Sequence, residues 1–431
     1  MSRNTRLTIG PGLLSILWAI SAEANPMEDT FGVGSRVKAM GGAGVSISDN
    51  YAALFYNPAR LSRCGKQTFS ASYHQSDHQL RVRDFENEPL EAEPIAPRYT
   101  INAGLCLALP FDLHFGFYFG AGLDPPMLLR QRSAHSVPEF LQHNSRLDSL
   151  SIVTGFSYGI VDNLALGISL SVLASSDLSL DLAVPVLSSE EVAVDLNWYL
   201  QPTAAIYAGL YYEPISELTL GLTYRSALYH RLYSTTETQA AISGIETKLD
   251  LILEGAMWYS PQQLSSGLAY KPIDMLLISV DLTWYNWAAY PGPFIVITAI
   301  PDSALASSLN FPRRNSAEFQ DTWAIRTGLE YNFEETVFIR GGYGLQTTAV
   351  KTPASISNIL DHDTHQISLG GGYHLNLEHE DSNVMLKFNL HATVGLMPNK
   401  LVQKPSDQPE PLSYQFGGTF LNIGTTIDLQ F

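Results

Sequence analysis

The sequence is poor in charged residues, in cysteine and in long hydrophobic runs, and each shortage argues against a class of protein. Charged residues make up 16% of the chain, which is low for a soluble protein. After the first 25 residues no run of roughly 18 apolar, uncharged residues occurs, which argues against a helical membrane protein. Cys64 and Cys106 are too few for a disulfide-dense secreted domain or a thiolate metal site. We expect no metal and no cofactor.

Basic residues are also scarce. The 25 Lys and Arg residues stand against 42 Asp and Glu, and the net charge is −17. Nucleic-acid binding needs a basic face, so nucleic acid is not an expected partner. This charge balance does not argue against a membrane, because acidic residues cluster in segments that we interpret as loops, such as 84–93.

The N-terminus has the pattern of a signal peptide spanning residues 1–24. Arg3 and Arg6 precede a short apolar core at 7–20, and Ala22-Glu23-Ala24 has the form of a cleavage site. We expect the mature chain to begin at Asn25. A non-cleaved anchor helix is the alternative, and the short apolar core favours cleavage.

Residues 65–431 repeat segments in which apolar residues alternate with small or polar ones, as in 101–109. Period two is typical of strands that present one face to an apolar phase. Short and long connections alternate strictly along this part, and fourteen segments lie between them. The pattern predicts a membrane-spanning antiparallel β-barrel of about 14 strands with its short turns in the periplasm. A soluble β-sandwich or propeller would not predict this alternation.

The expected long loops lie at roughly 77–97, 122–145, 179–193, 233–246, 288–318, 347–363 and 398–413. Aromatic residues near strand ends are expected in the girdles of the barrel at the two membrane interfaces. They include Tyr259, Tyr270, Trp284, Trp287 and Tyr290.

Residues 25–64 do not alternate and are rich in glycine and alanine. A fourteen-stranded tube would otherwise leave an aqueous hole, so this compact segment is expected to be a plug, or hatch, in the lumen. A periplasmic N-terminal extension is the alternative.

The hatch sequence resembles that of the FadL-type family of long-chain fatty-acid transporters, which also includes porins for aromatic hydrocarbons. The resemblance covers nearly the whole mature chain and includes 321–331 and 339–343. In the hatch it rests on Gly41, Gly42, Asp49, Asn57, Pro58 and Ala59.

The resemblance implies a monomeric barrel in a bacterial outer membrane, in contact with outer-membrane lipid. Hydrophobic small molecules, either fatty acids or hydrocarbons, would be captured by the outer loops and released sideways through the wall. The run Met40–Gly44 also resembles barrels of the same superfamily that act in protein secretion, which is the main alternative function.

Two of the long loops are unexpectedly apolar and are candidates for a ligand groove. Alternatively, the two loops could pack on each other and cap the barrel without binding a ligand. The groove residues would be Met127, Leu128, Leu129, Phe140, Phe294, Ile295 and Ile297. Arg130, Arg132, Arg313 and Arg314 lie beside them and could pair with a carboxylate or with lipid phosphates.

Three other patterns resemble catalytic or metal sites. The run 155–159 matches the G-x-S-x-G motif around Ser157, but it lies inside an alternating strand, and we expect no enzymatic activity beyond this weak hint of a lipid hydrolase. Asp361, His362, Asp363 and His365, and the pair His74 and His78, have no known zinc spacing.

Glycine and cysteine provide two further expectations. The runs Gly341-Gly342 and Gly370-Gly371-Gly372 are expected to allow a close backbone approach to the plug. Cys64 and Cys106 are both expected near the periplasmic rim, where an oxidising compartment would allow them to form a disulfide.

Overall fold

The computed structural model describes residues 27–65, 67–92, 95–123, 137–143, 151–173, 176–187, 190–200, 203–242, 245–292, 296–299, 319–351, 358–379, 382–406 and 411–431. The predicted signal peptide lies outside the described residues. No helix in the described ranges is long and apolar enough to cross a membrane.

Strands dominate the described part of the chain. They are β1 Gln67–Arg83, β2 Arg98–Leu109, β3 Leu113–Gly122, β4 Glu139–Phe140, β5 Ser151–Val161, β6 Leu164–Leu173, β7 Ser176–Leu187, β8 Glu190–Leu200, β9 Thr203–Ile215, β10 Leu218–Arg225, β11 Leu228–Ile242, β12 Ile245–Ser260, β13 Gln263–Ile273, β14 Leu276–Tyr285, β15 Val296–Ala299, β16 Thr322–Phe333, β17 Val337–Gln346, β18 Ile359–Leu360, β19 Thr364–His379, β20 Ser382–Gln403 and β21 Ser413–Gln430. The helices are short: Met27–Phe31, Ser35–Ala39 and Ala53–Tyr56 are α-helical, and Pro58–Arg63 and Trp287–Ala289 are 3-10 helices.

Fourteen of these strands form a closed antiparallel barrel, which confirms the predicted fold. Their order is β1-β2-β3-β5-β6-β9-β10-β13-β14-β16-β17-β19-β20-β21. The first strand closes the barrel by pairing with the last, from Thr68 opposite Gln430 to Arg83 opposite Gln415. A closed barrel leaves no strand edge unpaired in lipid, which is why it can span a membrane.

The outward face of the barrel is apolar, as strands that meet lipid require. On β16, Trp323, Ile325, Leu329 and Tyr331 point outward and are 37–53% exposed, whereas the intervening Ala324 is buried. Outward-facing aromatic residues lie towards both rims. They are Tyr158, Tyr212, Tyr270, Tyr331, Phe333 and Tyr373 near the short turns, and Tyr73, Tyr224, Trp323 and Tyr343 nearer the long loops.

Three of the aromatic residues expected in a girdle lie elsewhere. Tyr259, Trp287 and Tyr290 are at most 5% exposed and pack in one core cluster with Tyr285. The rings of Tyr259 and Tyr290 stack with centroids 4.8 Å apart. Stacking these large rings in a core cluster removes more of their apolar surface from water than a position at the membrane interface would.

Two segments expected to be long loops are largely strand. The ranges 179–193 and 233–246 fall mostly in β7, β8, β11 and β12, which form a five-stranded sheet with β15 in the order β15-β12-β11-β8-β7. The sheet joins the barrel strands β6, β9, β10, β13 and β14 along the chain. Backbone pairing does not have to stop where the membrane stops, because neighbouring antiparallel chains can continue their hydrogen bonds in water.

The N-terminal segment, residues 27–64, contacts inward-facing positions of strands on all sides of the barrel. Four hydrogen bonds show this spread: Ser169 Oγ of β6 donates to Leu54 O, Asn57 Nδ2 donates to Leu210 O of β9, Val45 N donates to Asp281 Oδ2 of β14, and Ser35 N donates to Thr426 Oγ1 of β21. The segment therefore lies within the ring of strands.

Candidate functional site

Glycines of the wall allow the N-terminal segment to approach the strands at backbone distance. A Cβ atom at Gly342 on β17 would overlap the backbone of Gly41, and one at Gly370 on β19 would overlap the side chain of Ala39. A Cβ at the neighbouring Gly341 would have no heavy atom nearer than 3.7 Å. Gly342 and Gly370 thus lie at close approaches to the segment. The nearest atoms to a Cβ at Gly341, Gly371 or Gly372 belong to the wall, so the expectation was right for two glycines of the five.

The two glycines of the hatch motif are required by their own conformations. Gly41 and Gly42 have φ angles of 66° and 83°, which side chains other than glycine rarely adopt. A Cβ at Gly41 would also lie 2.6 Å from the backbone nitrogen of Tyr343. This part of the motif forms a turn pressed against the wall.

The Asn57-Pro58-Ala59 part of the motif begins a 3-10 helix and ties it to the wall. Asn57 Oδ1 accepts a hydrogen bond from Ala59 N at 3.1 Å, and Pro58 occupies the first helical turn. Asn57 Nδ2 donates to Val45 O and to Leu210 O, each at 3.0 Å. Asn57 is fully buried, so these bonds satisfy its amide where water cannot.

Asp49 belongs to a chain of charges that crosses from the segment to the wall. Its Oδ2 lies 2.9 Å from Arg36 Nη1, and Arg36 also pairs with Glu330 of β16. Burial alone would raise the pKa of Asp49, but the nearby cations, with Arg36 first among them, hold it below its usual value. The carboxylate therefore stays charged, and through Arg36 it helps to hold the N-terminal segment against the wall.

A cavity of about 50 Å³ lies between the segment and the wall. Phe31, Phe55 and Tyr56 contribute aromatic surface to it, and Lys38 contributes an amine. Lys38 is 5% exposed, and its Nζ donates a long hydrogen bond of 3.4 Å to Asn422 Oδ1. Burial lowers the pKa of Lys38 to about 7, although nearby Glu28 raises it. The cavity is thus small, and its lining is charged as well as aromatic: it includes Glu28, Asp29, Asp281, Arg225 and Arg326.

Four aromatic rings from distant parts of the chain meet beside this cavity, and we call them the ring cluster: Phe31, His78, His143 and Phe420. The Phe31 centroid lies 5.7 Å from that of His78 and 5.6 Å from that of Phe420. His143 lies 4.9 Å from Phe420, and burial lowers its pKa well below the usual value, so the ring is neutral. The sequence carried no local signal for this cluster.

Only part of the expected ligand groove lies among the described residues. Phe140, in β4, is 2% exposed, and its ring centroid lies 5.9 Å from that of Phe416. Ile297, in β15, is paired with Leu253 of β12. The other groove residues and the four arginines beside them lie outside the described residues, and the groove remains a prediction. They are Met127, Leu128, Leu129, Phe294, Ile295, Arg130, Arg132, Arg313 and Arg314.

Ser157 lies within β5 and not in a turn between a strand and a helix. It therefore lacks the strained geometry that a nucleophile elbow needs. His74 and His78 both lie on β1, where the ring of His74 is 5.4 Å from that of His391. No group of three or more potential metal ligands occurs among the residues that the structure describes.

Cys64 and Cys106 lie next to each other. Their sulfurs are 2.8 Å apart, and both are buried free thiols. The predicted disulfide remains a prediction, for which this juxtaposition supplies the geometry.

Comparison with known proteins reveals several similar structures. A Pseudomonas aeruginosa FadL homologue superimposes with a TM-score of 0.59 over 92% of this chain and 97% of its own, at 14% identity. The P. putida toluene transporter TodX superimposes with a TM-score of 0.57 over 94% of this chain and 99% of its own, at 17% identity. The Ralstonia pickettii toluene transporter TbuX superimposes with a TM-score of 0.53 over 94% of this chain and 99% of its own, at 16% identity. At these identities the likeness shows the fold.

No curated protein sequence matches the chain. The model of one family, described as outer membrane protein transport protein (OMPP1/FadL/TodX), matches residues 14–393. The chain therefore belongs to the FadL/TodX family of outer-membrane transport proteins of Gram-negative bacteria, which carry hydrophobic compounds and are not enzymes.

Proposed function

We propose that this protein takes up long-chain fatty acids or similarly hydrophobic molecules, and that residues 25–64 act as a hatch that blocks direct passage along the barrel axis. The observation that carries the proposal is that the chain belongs to the FadL/TodX family and that residues 27–64 contact inward-facing positions of the closed barrel on several sides.

The attachment of the hatch supports a route that does not run straight through the barrel. The hatch is fastened to nearly opposite parts of the wall: Asn57 donates to Leu210 O on β9, and Asn50 donates to Asp428 Oδ1 on β21. Displacing the whole hatch would break these bonds at once. Release sideways through the wall requires no such displacement, and it delivers a hydrophobic ligand into the lipid that dissolves it.

The ring cluster supports a gated route to the cavity. Phe31 both lines the cavity and contacts His78 and His143. Phe31 ends a five-residue helix at the start of the hatch, so a local movement of this helix would open the cavity without disturbing the rest. We propose that the protein performs this work as a monomer, because the closed barrel and its hatch lie within one chain.

The function is tested by expressing the protein in a Gram-negative host that lacks its own FadL-type transporter. We expect radiolabelled oleate or toluene to accumulate faster than in the same host carrying the empty vector. The ligand that accumulates faster shows whether the protein prefers aliphatic or aromatic molecules. If neither ligand enters faster although the folded protein is present in the outer membrane, the proposal is wrong.

A further inference from the structure

The outer end of β1 has a strand on only one side. Pairing with β21 continues to Arg83, whereas pairing with β2 ends where Ser76 faces Arg98. Beyond Ser76, the edge towards β2 meets the irregular segment that follows β1. Leu90 N donates to Val82 O at 2.9 Å, and Arg83 forms an isolated bridge with Pro89. The wall is therefore interrupted between β1 and the start of β2.

A cavity of about 510 Å³ lies at this interruption, and we call it the side cavity. Its volume is within the range of sites that hold small molecules. Most of its lining is apolar: Leu80, Val82, Pro89, Leu90, Ala92, Ile95 and Phe140. It is distinct from the cavity beside the hatch, with which it shares no lining residue.

The side cavity lies above the hydrocarbon of the membrane. The outward-facing residues of β1 change from Phe69 and Tyr73 to polar residues from Asp77 onwards. Asp77 is paired with Leu421, which is the last exposed large hydrophobic residue of β21 on the way to the outer rim. Polar outward residues belong outside the hydrocarbon layer, so the cavity faces the level of the lipid head groups.

Arg81 and Arg83 are the only Lys, Arg, Asp or Glu residues among the described residues that line the side cavity. Asp84, Glu86, Glu88 and Glu91 follow in the same segment but do not line it. Arg81 is exposed, and Arg83 is held in place by a 2.8 Å hydrogen bond from its Nη1 to Asn87 O. Guanidinium groups bind carboxylates through paired, charge-assisted hydrogen bonds.

The inner end of the side cavity touches the ring cluster. His78 lines the cavity, and its ring packs against Phe31 and His143. Phe31 lines the cavity beside the hatch. The ring cluster therefore touches both the side cavity and the hatch cavity.

We propose that the side cavity is the site at which the protein captures single-chain amphiphiles with a carboxylate head. The hydrocarbon tail occupies the apolar lining, and the head binds Arg81 and Arg83 at the level of the lipid head groups. The tail then faces the ring cluster, which separates it from the hatch cavity. The proposal rests on the proposed uptake function and specifies where and in what orientation the ligand is first bound.

The test is a titration of the protein in lipid nanodiscs with 11-(dansylamino)undecanoic acid and with its uncharged methyl ester, followed by dansyl fluorescence. Leu80→Trp fills the cavity and is expected to weaken binding of both probes at least about tenfold. The double substitution Arg81→Gln and Arg83→Gln is expected to weaken binding of the acid about tenfold and to leave the ester unchanged.

Two variants serve as controls. Leu401→Trp adds the same bulk at the same rim, but Leu401 is 54% exposed and lies outside the cavity lining. Arg63→Gln removes an arginine close to the periplasmic end of β1. Both should bind the two probes like the unaltered protein. If Leu80→Trp does not fold, Ala92→Leu fills the cavity from the loop instead.

Unchanged binding in the folded cavity variants would overturn the site. If the double arginine variant lost the same affinity for the acid and for the ester, the carboxylate would not bind Arg81 and Arg83. Failure of oleate uptake by the unaltered protein would contradict the proposed function, and the titration would still report on the cavity. The two proposals can therefore fail separately.

Discussion

Arg36 in the hatch and Glu330 in the wall form a two-pronged ion pair, with Arg36 Nη2 and Nε 2.8 and 2.9 Å from the two carboxylate oxygens. Arg340 Nε donates to the same carboxylate at 2.5 Å. Glu330 is 5% exposed, and Arg36 also pairs with Asp49, so removal of Arg36 takes a cation from two carboxylates at a site that water reaches poorly.

The first prediction concerns this ion pair. Arg36→Met is expected to lower the free energy of unfolding by about 3 kcal/mol, since breaking a buried pair costs more than the pair contributes. Urea unfolding in lipid vesicles measures the change. Arg63→Met is the control, because its 3.2 Å pair with Glu213 is partly exposed on both sides and should contribute less than about 1 kcal/mol. Equal effects of the two substitutions would contradict the assignment.

The second prediction compares two adjacent glycines. Gly342→Ala should push Gly41 and the hatch away from β17, because the added methyl group would overlap the hatch backbone. Gly341→Ala should be tolerated, since its nearest neighbour lies 3.7 Å from the added atom. Planar-bilayer conductance and limited proteolysis of the hatch both measure its displacement. We expect both to increase for Gly342→Ala and to remain at the level of the unaltered protein for Gly341→Ala.

The barrel could be predicted from the sequence because its determinants are local. Alternation within 101–109 and the regular change of connection length each depend on neighbouring residues, and together they predicted fourteen strands. The outer sheet was missed for the opposite reason. Whether residues such as 179–193 remain a loop or form β7 and β8 depends on which chains lie beside them, and composition does not encode that.

Contacts of the candidate site could be predicted from the sequence only where a single residue type indicated them. Glycine at 342 indicated a close backbone approach, and the structure places Gly41 there. The pairing of Arg36 with Glu330 spans 294 residues of sequence and has no local pattern. Lys38 also gave no signal, because its effect comes from burial against strands that are remote in the chain.

The third prediction concerns Cys64 and Cys106. Their sulfurs are 2.8 Å apart, and a small approach would reach the bonded distance of about 2.05 Å. Protein isolated from the outer membrane is expected to carry the disulfide, because it folds in an oxidising compartment. Iodoacetamide should then modify neither cysteine in urea until a reductant is added, as mass spectrometry would detect. Modification of both without reductant would show that the thiols remain free.

The fourth prediction concerns the ring cluster. Phe31→Ala removes the ring that contacts His78, His143 and Phe420, so we expect a higher conductance and faster oleate uptake at low ligand concentration. Phe111→Ala makes the same chemical change at a short turn where the ring is 90% exposed, and it should alter neither quantity. A Phe31→Ala protein with unchanged conductance and uptake would exclude the cluster as a barrier.

The fifth prediction uses the titration of Lys38. Its pKa of about 7 means that the amine is charged below pH 7 and neutral above it. The unfolded chain keeps the lysine proton up to about pH 10, so the free energy of unfolding should rise with pH between 7 and 10.

Lys38→Met should abolish this dependence, whereas Lys271→Met, at an exposed position near a short turn, should preserve it. Urea unfolding in lipid vesicles across pH 7 to 10 measures the free energy of unfolding of the three proteins. If the unaltered protein and Lys38→Met show the same pH profile, the amine of Lys38 keeps its proton in the folded protein, and the charge of Glu28 outweighs the effect of burial.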